Sequence, residues 1–227
     1  MKILAIDAAT EACSAALYLD GEITHEFQLA PREHTQLILP MIDRLMKAAS
    51  ITIAELDALA YARGPGAFTG VRIAAGVIQG LSYANDLPVL PVSTLAAIAV
   101  GMHQQQGYDH VIAAIDARMG EVYWAAYGIS DGIVKPLSDE VVSKVENLPI
   151  VDEKDWAGAG TGWAEYKDQL QQKYQLADNR IDAQALPSAE YIVRIAAEDF
   201  RQGKQVTAHQ AQPVYLRDNV AKKKQNQ

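Results

Sequence analysis

Two aspartates stand out as groups able to do chemistry, because each closes a nearly identical apolar run: Ile3-Leu4-Ala5-Ile6-Asp7-Ala8 and Ile112-Ala113-Ala114-Ile115-Asp116-Ala117. Carboxylates at the ends of matched strands, on opposite walls of one cleft, are suited to a magnesium ion and the phosphates it accompanies. The plainer reading of either residue is an aspartate opening a turn, where that type is favoured; the matched pair argues for a duplicated unit. Other chemistries find less support. The five histidines, His25, His34, His103, His110 and His209, never stand four apart, and the single Cys13 joins none of them, which speaks against a zinc hydrolase. No Gly-x-Ser-x-Gly elbow occurs. A two-metal nuclease needs three or four carboxylates, and beside Asp7 and Asp116 only Glu11 offers itself, a residue that reads as a solvent-side turn position. Arg32, Glu33 and His34 read as the capped start of a helix, with His34 hydrogen-bonded locally.

The elements that must position the two aspartates also recur in order. Each Asp-terminated strand leads into a second β-rich run, Ser14 to Leu19 or Val122 to Tyr127, then an Asp-Gly turn at Asp20-Gly21 or Asp131-Gly132, then segments of helical spacing. A β-β-β-α-β-α unit used twice is the plan of the actin-like, sugar-kinase and Hsp70 ATPase superfamily, a duplicated ribonuclease H-like fold. The expectation is therefore an α/β protein of two similar domains, 1–106 and 107–227, divided at Gln104-Gln105-Gln106-Gly107. In that superfamily the two aspartates flank nucleotide phosphates and magnesium.

The sharpest motif is Arg63-Gly64-Pro65-Gly66-Ala67-Phe68-Thr69-Gly70-Val71-Arg72. Its glycines permit a turn that other residues resist. Thr69 is expected to cap the following helix, and Phe68 with Ile73 to staple it. Without a Gly-Lys-Ser/Thr ending, a structural strand-to-helix turn and a phosphate cradle both stay open. The helix, Gly70 to Tyr83, is apolar nearly all round, with a thin polar stripe at Arg72, Gln79 and Ser82 and a glycine pair at Gly76 and Gly80. Such a helix is buried on more than one side, within its own domain or against a partner. An earlier helix carries Leu37, Met41 and Leu45 with Ile38, Ile42 and Met46 alongside; Pro40 should kink it or delay its start. Further on, Ser138 to Glu146 reads as a helix, Asp155 to Gly160 as a strand, and Pro187 to Phe200 as a last helix.

Composition narrows the function. With 227 residues and 49% of them hydrophobic, a sizeable core is within reach. A net charge of −8 opposes autonomous binding to a polyanion. The one basic run, Lys222-Lys223-Lys224, lies in a polar tail that reads as solvated. No membrane-length apolar run occurs, and Met1-Lys2-Ile3-Leu4 already reads as strand, so a cytoplasmic protein is expected. A lone cysteine, read as a buried structural thiol, suits a reducing compartment.

Taken together, Ile3 to Asp7, Pro31-Arg32-Glu33-His34-Thr35, the Arg63 to Arg72 motif, Ala114-Ile115-Asp116-Ala117-Arg118, Gly120-Glu121-Val122-Tyr123-Trp124 and Pro213-Val214-Tyr215-Leu216-Arg217 resemble the TsaB (YeaZ) family of bacterial tRNA threonylcarbamoyladenosine biosynthesis proteins across the whole chain. The resemblance implies a non-catalytic subunit that scaffolds and activates a larger paralogue, TsaD, beside the ATPase TsaE. TsaD transfers threonylcarbamoyl from its adenylate to the adenosine next to the tRNA anticodon. The His-x-x-x-His metal ligands of TsaD have no counterpart in Val92-Ser93-Thr94-Leu95-Ala96-Ala97-Ile98, which also removes a peptidase reading. The resemblance further implies a helical partner surface, carried onto Leu37, Ile38, Met41, Leu45, Val71, Arg72, Ala75, Gly76 and Gln79, and a homodimer of the isolated chain through the same face. Asp7, Thr10 and Asp116 become a vestigial phosphate-side cleft. No tightly bound cofactor is expected, ATP or ADP with magnesium at a partner interface stays open, and tRNA is met only through the complex. The alternative is an autonomous actin-like ATPase or small-molecule kinase, for which Gly160-Thr161-Gly162 is a thin substitute for an adenosine-binding segment.

Overall fold

Side-chain alternation builds the first half. In the computed structural model, which describes residues 1–152 and 154–217, strand β1 (Lys2–Asp7) sends Leu4 and Ile6 to one face of a sheet and Ile3 and Ala5 to the other. The tail holding Lys222-Lys223-Lys224 lies outside the described residues. β1 pairs antiparallel with β2 (Ala12–Leu19), which pairs with β3 (Glu22–Leu29); on its other side it runs parallel to β4 (Ala58–Gly64), which carries β5 (Val89–Ser93). Helices α1 (His34–Ala49) and α2 (Phe68–Asn85) cover the Leu4 and Ile6 face, through Ile38, Met41, Leu45, Ala74, Ala75 and Ile78. Pro40 lies inside α1 on its exposed side, so the helix neither breaks nor starts late.

The second half repeats the plan. β6 (His110–Asp116) pairs with β7 (Val122–Ser130), then β8 (Ile133–Pro136), and runs parallel to β10 (Trp156–Ala159), which carries β11 (Ile181–Asp182). Strand order is therefore β3-β2-β1-β4-β5 in one sheet and β8-β7-β6-β10-β11 in the other, the ribonuclease H-like unit built twice that defines the actin-like fold. Helices α4 (Gly162–Glu165) and α5 (Lys167–Tyr174) stand where α2 stands in the first half. The helices closing each half are exchanged: α3 (Thr94–Gln106) packs on β6 and β7, and α6 (Ala189–Arg201) on β1 and β2. Alanines 5, 16, 58 and 60 line the α6 side of the first sheet, and their small side chains let that helix lie close.

The segment 138–146 is not the helix its composition suggests. It forms strand β9 (Val141–Ser143) and a 3-10 turn over Val145–Asn147. β8 covers β7 only from Tyr127 to Ser130, leaving Val122 to Trp124 unpaired on that edge, and β9 completes the ladder there. Two β-branched valines favour the strand, and the open edge decides it.

Candidate functional site

A cleft of about 900 Å3 separates the two halves. Ala9, Thr10 and Glu11 of the β1–β2 turn, the Pro65 to Val71 segment and Pro31 to Thr35 wall one side; Ile115 to Arg118, Tyr123, Thr161 and Glu165 wall the other. Asp116 reaches this space. Its Oδ1 accepts hydrogen bonds from the Arg118 backbone N–H (2.8 Å) and the Tyr166 hydroxyl (3.3 Å), and its Oδ2 pairs with the Arg118 guanidinium at 2.9 Å.

Asp7 does not face the cleft, contrary to the symmetric expectation. It is fully buried, with Oδ1 accepting from the Ala9 N–H (2.9 Å) and Oδ2 left without a partner. Burial pushes its carboxyl up to about 7, against the lowering pull of the Ala9 and Ala8 N–H groups. The glycine motif packs on the turn that follows Asp7. The Ala67 N–H donates to Ala9 O at 2.7 Å, and a Cβ on Gly66 or Gly70 would lie 2.3 Å from Ala9 O or 1.9 Å from Ala8 O. These glycines bring backbone onto backbone, so the motif fills the place where a phosphate cradle would need room. The hydroxyl of Thr10, the third residue assigned to the phosphate side, is likewise buried without a partner. Magnesium-bound phosphate does not fit this arrangement: one carboxylate is sealed from the cleft, and the other is held by an arginine.

The start of α2 also differs from expectation. Ala67 occupies the N-cap with no side-chain bond, and Thr69 falls inside the first turn. Phe68 is 60% exposed and meets no staple partner at Ile73; instead the Arg72 guanidinium lies over its ring, 3.2 Å from the centroid. His34 bonds at long range rather than locally, its Nε2 lying 2.9 Å from Thr10 O and 3.2 Å from Ala12 O. With two carbonyls as partners that nitrogen must carry the proton, which fixes the tautomer and ties α1 to the β1–β2 turn.

The residues carried over as a partner surface divide by helical phase. Ile38, Met41, Leu45, Val71 and Ala75 are each at most 6% exposed and pack against the chain's own sheet or the elements beside it, so they have no surface left to present. Leu37 is half-buried; Gln79 is too, and its Nε2 donates to Ala211 O at 2.9 Å. Arg72 and Gly76 face outward. The exposed side of the helix pair therefore runs through Leu39, Arg72, Gly76, Gly80 and Tyr83, of which Tyr83 is 87% exposed. The apolar all-round character of α2 concealed this phase, because both faces carry similar residues.

One inter-half network was not anticipated. Arg63 Nη2 donates to both oxygens of Glu140 (3.1 and 3.0 Å), Tyr127 donates its hydroxyl proton to the same carboxylate (3.0 Å), and Ser93 Oγ, the N-cap of α3, lies 3.2 Å from the Tyr127 oxygen. Burial, with Glu140 adding to it, drives the Tyr127 phenol well above its usual range, so it remains a neutral donor. The opening arginine of the glycine motif was the available signal.

Among the described residues no helix is long and apolar enough to cross a membrane. The family model described as "TsaD: tRNA N6-adenosine threonylcarbamoyltransferase" matches residues 27–225. The tRNA threonylcarbamoyladenosine biosynthesis protein TsaB of Escherichia coli K12 is 47% identical over 99% of this chain and 98% of its own length. Its namesake in Haemophilus influenzae is 38% identical over 99% and 97%. The solved structure of YeaZ from Pseudomonas aeruginosa superposes with a TM-score of 0.89 at 44% identity, covering 95% of this chain and 99% of that one. The chain therefore belongs to the TsaB (YeaZ) family of tRNA threonylcarbamoyladenosine biosynthesis proteins.

Proposed function

We propose that this chain is a non-catalytic subunit that docks onto TsaD and, with TsaE, supports transfer of threonylcarbamoyl from its adenylate to the adenosine beside the tRNA anticodon. The observation that carries the proposal is the sealed Asp7: an enzyme working on magnesium-bound phosphates needs that carboxylate in its cleft, and here it is fully buried and does not line the cleft. The segment Val92–Ile98 supports the same reading, since Ser93 caps α3 and Ala97 and Ile98 are core, leaving no ligand pair of the TsaD type. Any ATP or ADP would sit where partner residues complete a site, and tRNA would be met through the assembly.

Docking is assigned to the outward side of α1 and α2. Leu39 and Tyr83 supply apolar area, and Gly76 and Gly80, with nothing within 4 Å of a Cβ built on either, leave a shallow notch for a partner helix. A homodimer of the isolated chain would use the same side. Replacing Gly76 by tryptophan tests this. The ring has room in the isolated chain, so the fold is expected to persist while co-purification with TsaD and reconstituted tRNA modification are lost. Undisturbed assembly would refute the docking face. Turnover of magnesium-ATP by the isolated chain would refute the non-catalytic role.

A further inference from the structure

The geometry points to the segment 211–217 as a strap across the cleft whose far end is a releasable latch made by Arg217 and Glu121. Its near end is fixed to the first half. Ala211 is fully buried and its carbonyl accepts from Gln79 Nε2 (2.9 Å), the Gln212 carbonyl accepts from the Tyr61 hydroxyl (3.0 Å), and the Val214 N–H donates to Arg63 O (2.8 Å). Beyond that point the chain turns along the cleft wall. Tyr215 lies with its ring centroid 6.1 Å from that of Phe68, and the Arg72 guanidinium 4.6 Å from the Tyr215 centroid touches both rings.

The far end belongs to the second half. Arg217 Nη2 donates to Glu121 Oε2 and, at 3.4 Å, to the Arg118 carbonyl. Its partners sit on the β6–β7 turn, where Arg118, Met119 and Gly120 all have left-handed backbone (φ 62°, 60° and 79°).

Unequal anchors give the segment its behaviour. Three hydrogen bonds and a buried alanine hold the near end, whereas the far end rests on one partly exposed side chain, Arg217, with its ion pair to Glu121 and longer contacts to the Arg118 carbonyl and the Met119 sulfur, an attachment that salt weakens in part. Opening therefore starts at Arg217 while Ala211 to Val214 stay seated. Arg63 holds Val214 through its carbonyl and Glu140 of the second half through its guanidinium, so the two halves stay joined at the seated end of the strap while the far end releases.

The test uses the full chain with nitroxide labels on Thr35→Cys and Glu165→Cys, which face each other across the cleft; native Cys13 is fully buried and stays unlabelled. Arg217→Gln and Glu121→Gln are each expected to lengthen and broaden the inter-label distance distribution. Arg217→Glu combined with Glu121→Arg is expected to restore the narrow one. In about 1 M salt, which weakens a partly exposed ion pair without abolishing it, the unsubstituted latch should shift toward the broad distribution, and Arg217→Gln should respond less. The salt arm needs no substitution at the latch and so stands even if a latch variant folds poorly. Distributions that ignore both the substitutions and the salt, or a charge exchange that fails to restore the narrow state, would overturn the latch.

Discussion

Replacing Asp7 by asparagine should remove a loss of stability that the protein otherwise shows as pH rises from 5 to 8. In the folded chain burial holds the Asp7 carboxyl at about 7 instead of its ordinary 3.8. Between those values the folded state carries a proton that the unfolded state lacks, so stability falls as pH rises toward 7 and levels off beyond it. From pH 5 to pH 8 the aspartate form should lose about 3 kcal/mol, two pH units at roughly 1.4 kcal/mol each. Asparagine does not titrate, keeps an oxygen for the Ala9 N–H and places an amide at the position of the unpartnered Oδ2. That buried amide costs about 1–3 kcal/mol at every pH, which shifts the curve of the variant without tilting it. The measurement is urea unfolding of both proteins at pH 5 and pH 8. Relative to wild type, Asp7→Asn should gain about 3 kcal/mol between the two, or roughly 6–12 °C in Tm for a chain of this size. Parallel pH profiles would refute the reasoning and return Asp7 to the solvent.

The start and the middle of α2 make a contrast within one helix. Gly70→Ala puts a Cβ 1.9 Å from Ala8 O and should cost at least about 2 kcal/mol, whereas Gly76→Ala meets nothing and should gain about 1 kcal/mol from helix propensity, both read by thermal unfolding. Glu140→Ala removes the acceptor shared by Arg63 and Tyr127 and should destabilise by about 2–3 kcal/mol, well beyond the loss from removing the exposed Lys47–Asp43 pair. Cys13, whose thiol is pushed up to about 11 by burial with Asp7 adding to it, should react with iodoacetamide only as fast as the chain unfolds. Labelling of the native protein at pH 8 in proportion to reagent, without a lag, would contradict it.

The duplicated fold was legible because β1 and β6 are nearly identical apolar runs and both close on aspartate. The different fates of those aspartates were written two residues further on, where Ala9 follows Asp7 and Arg118 follows Asp116. Arg118 reaches back to pair with Asp116 beside the cleft, whereas after Asp7 the glycine motif closes on the backbone of Ala8 and Ala9. That closure joins residues about sixty positions apart, beyond what local pattern can express. Helical phase in α2 was hidden for a different reason: a helix apolar nearly all round is only weakly amphipathic, and packing on the sheet is what separates Val71 and Ala75 from Gly76. The same sheet that buries one stripe leaves the glycine stripe as the surface free to receive another helix. The absence of Asp7 from the cleft and the proposed docking side thus both involve one segment, Arg63 to Gln79. Its start closes on the Ala8–Ala9 turn that follows Asp7, its middle carries the outward glycines, and Gln79 holds the strap that crosses the cleft. A substitution that loosens Gly66 or Gly70 should therefore disturb partner docking as well as the Asp7 environment, whereas one at Gly76 should disturb docking alone.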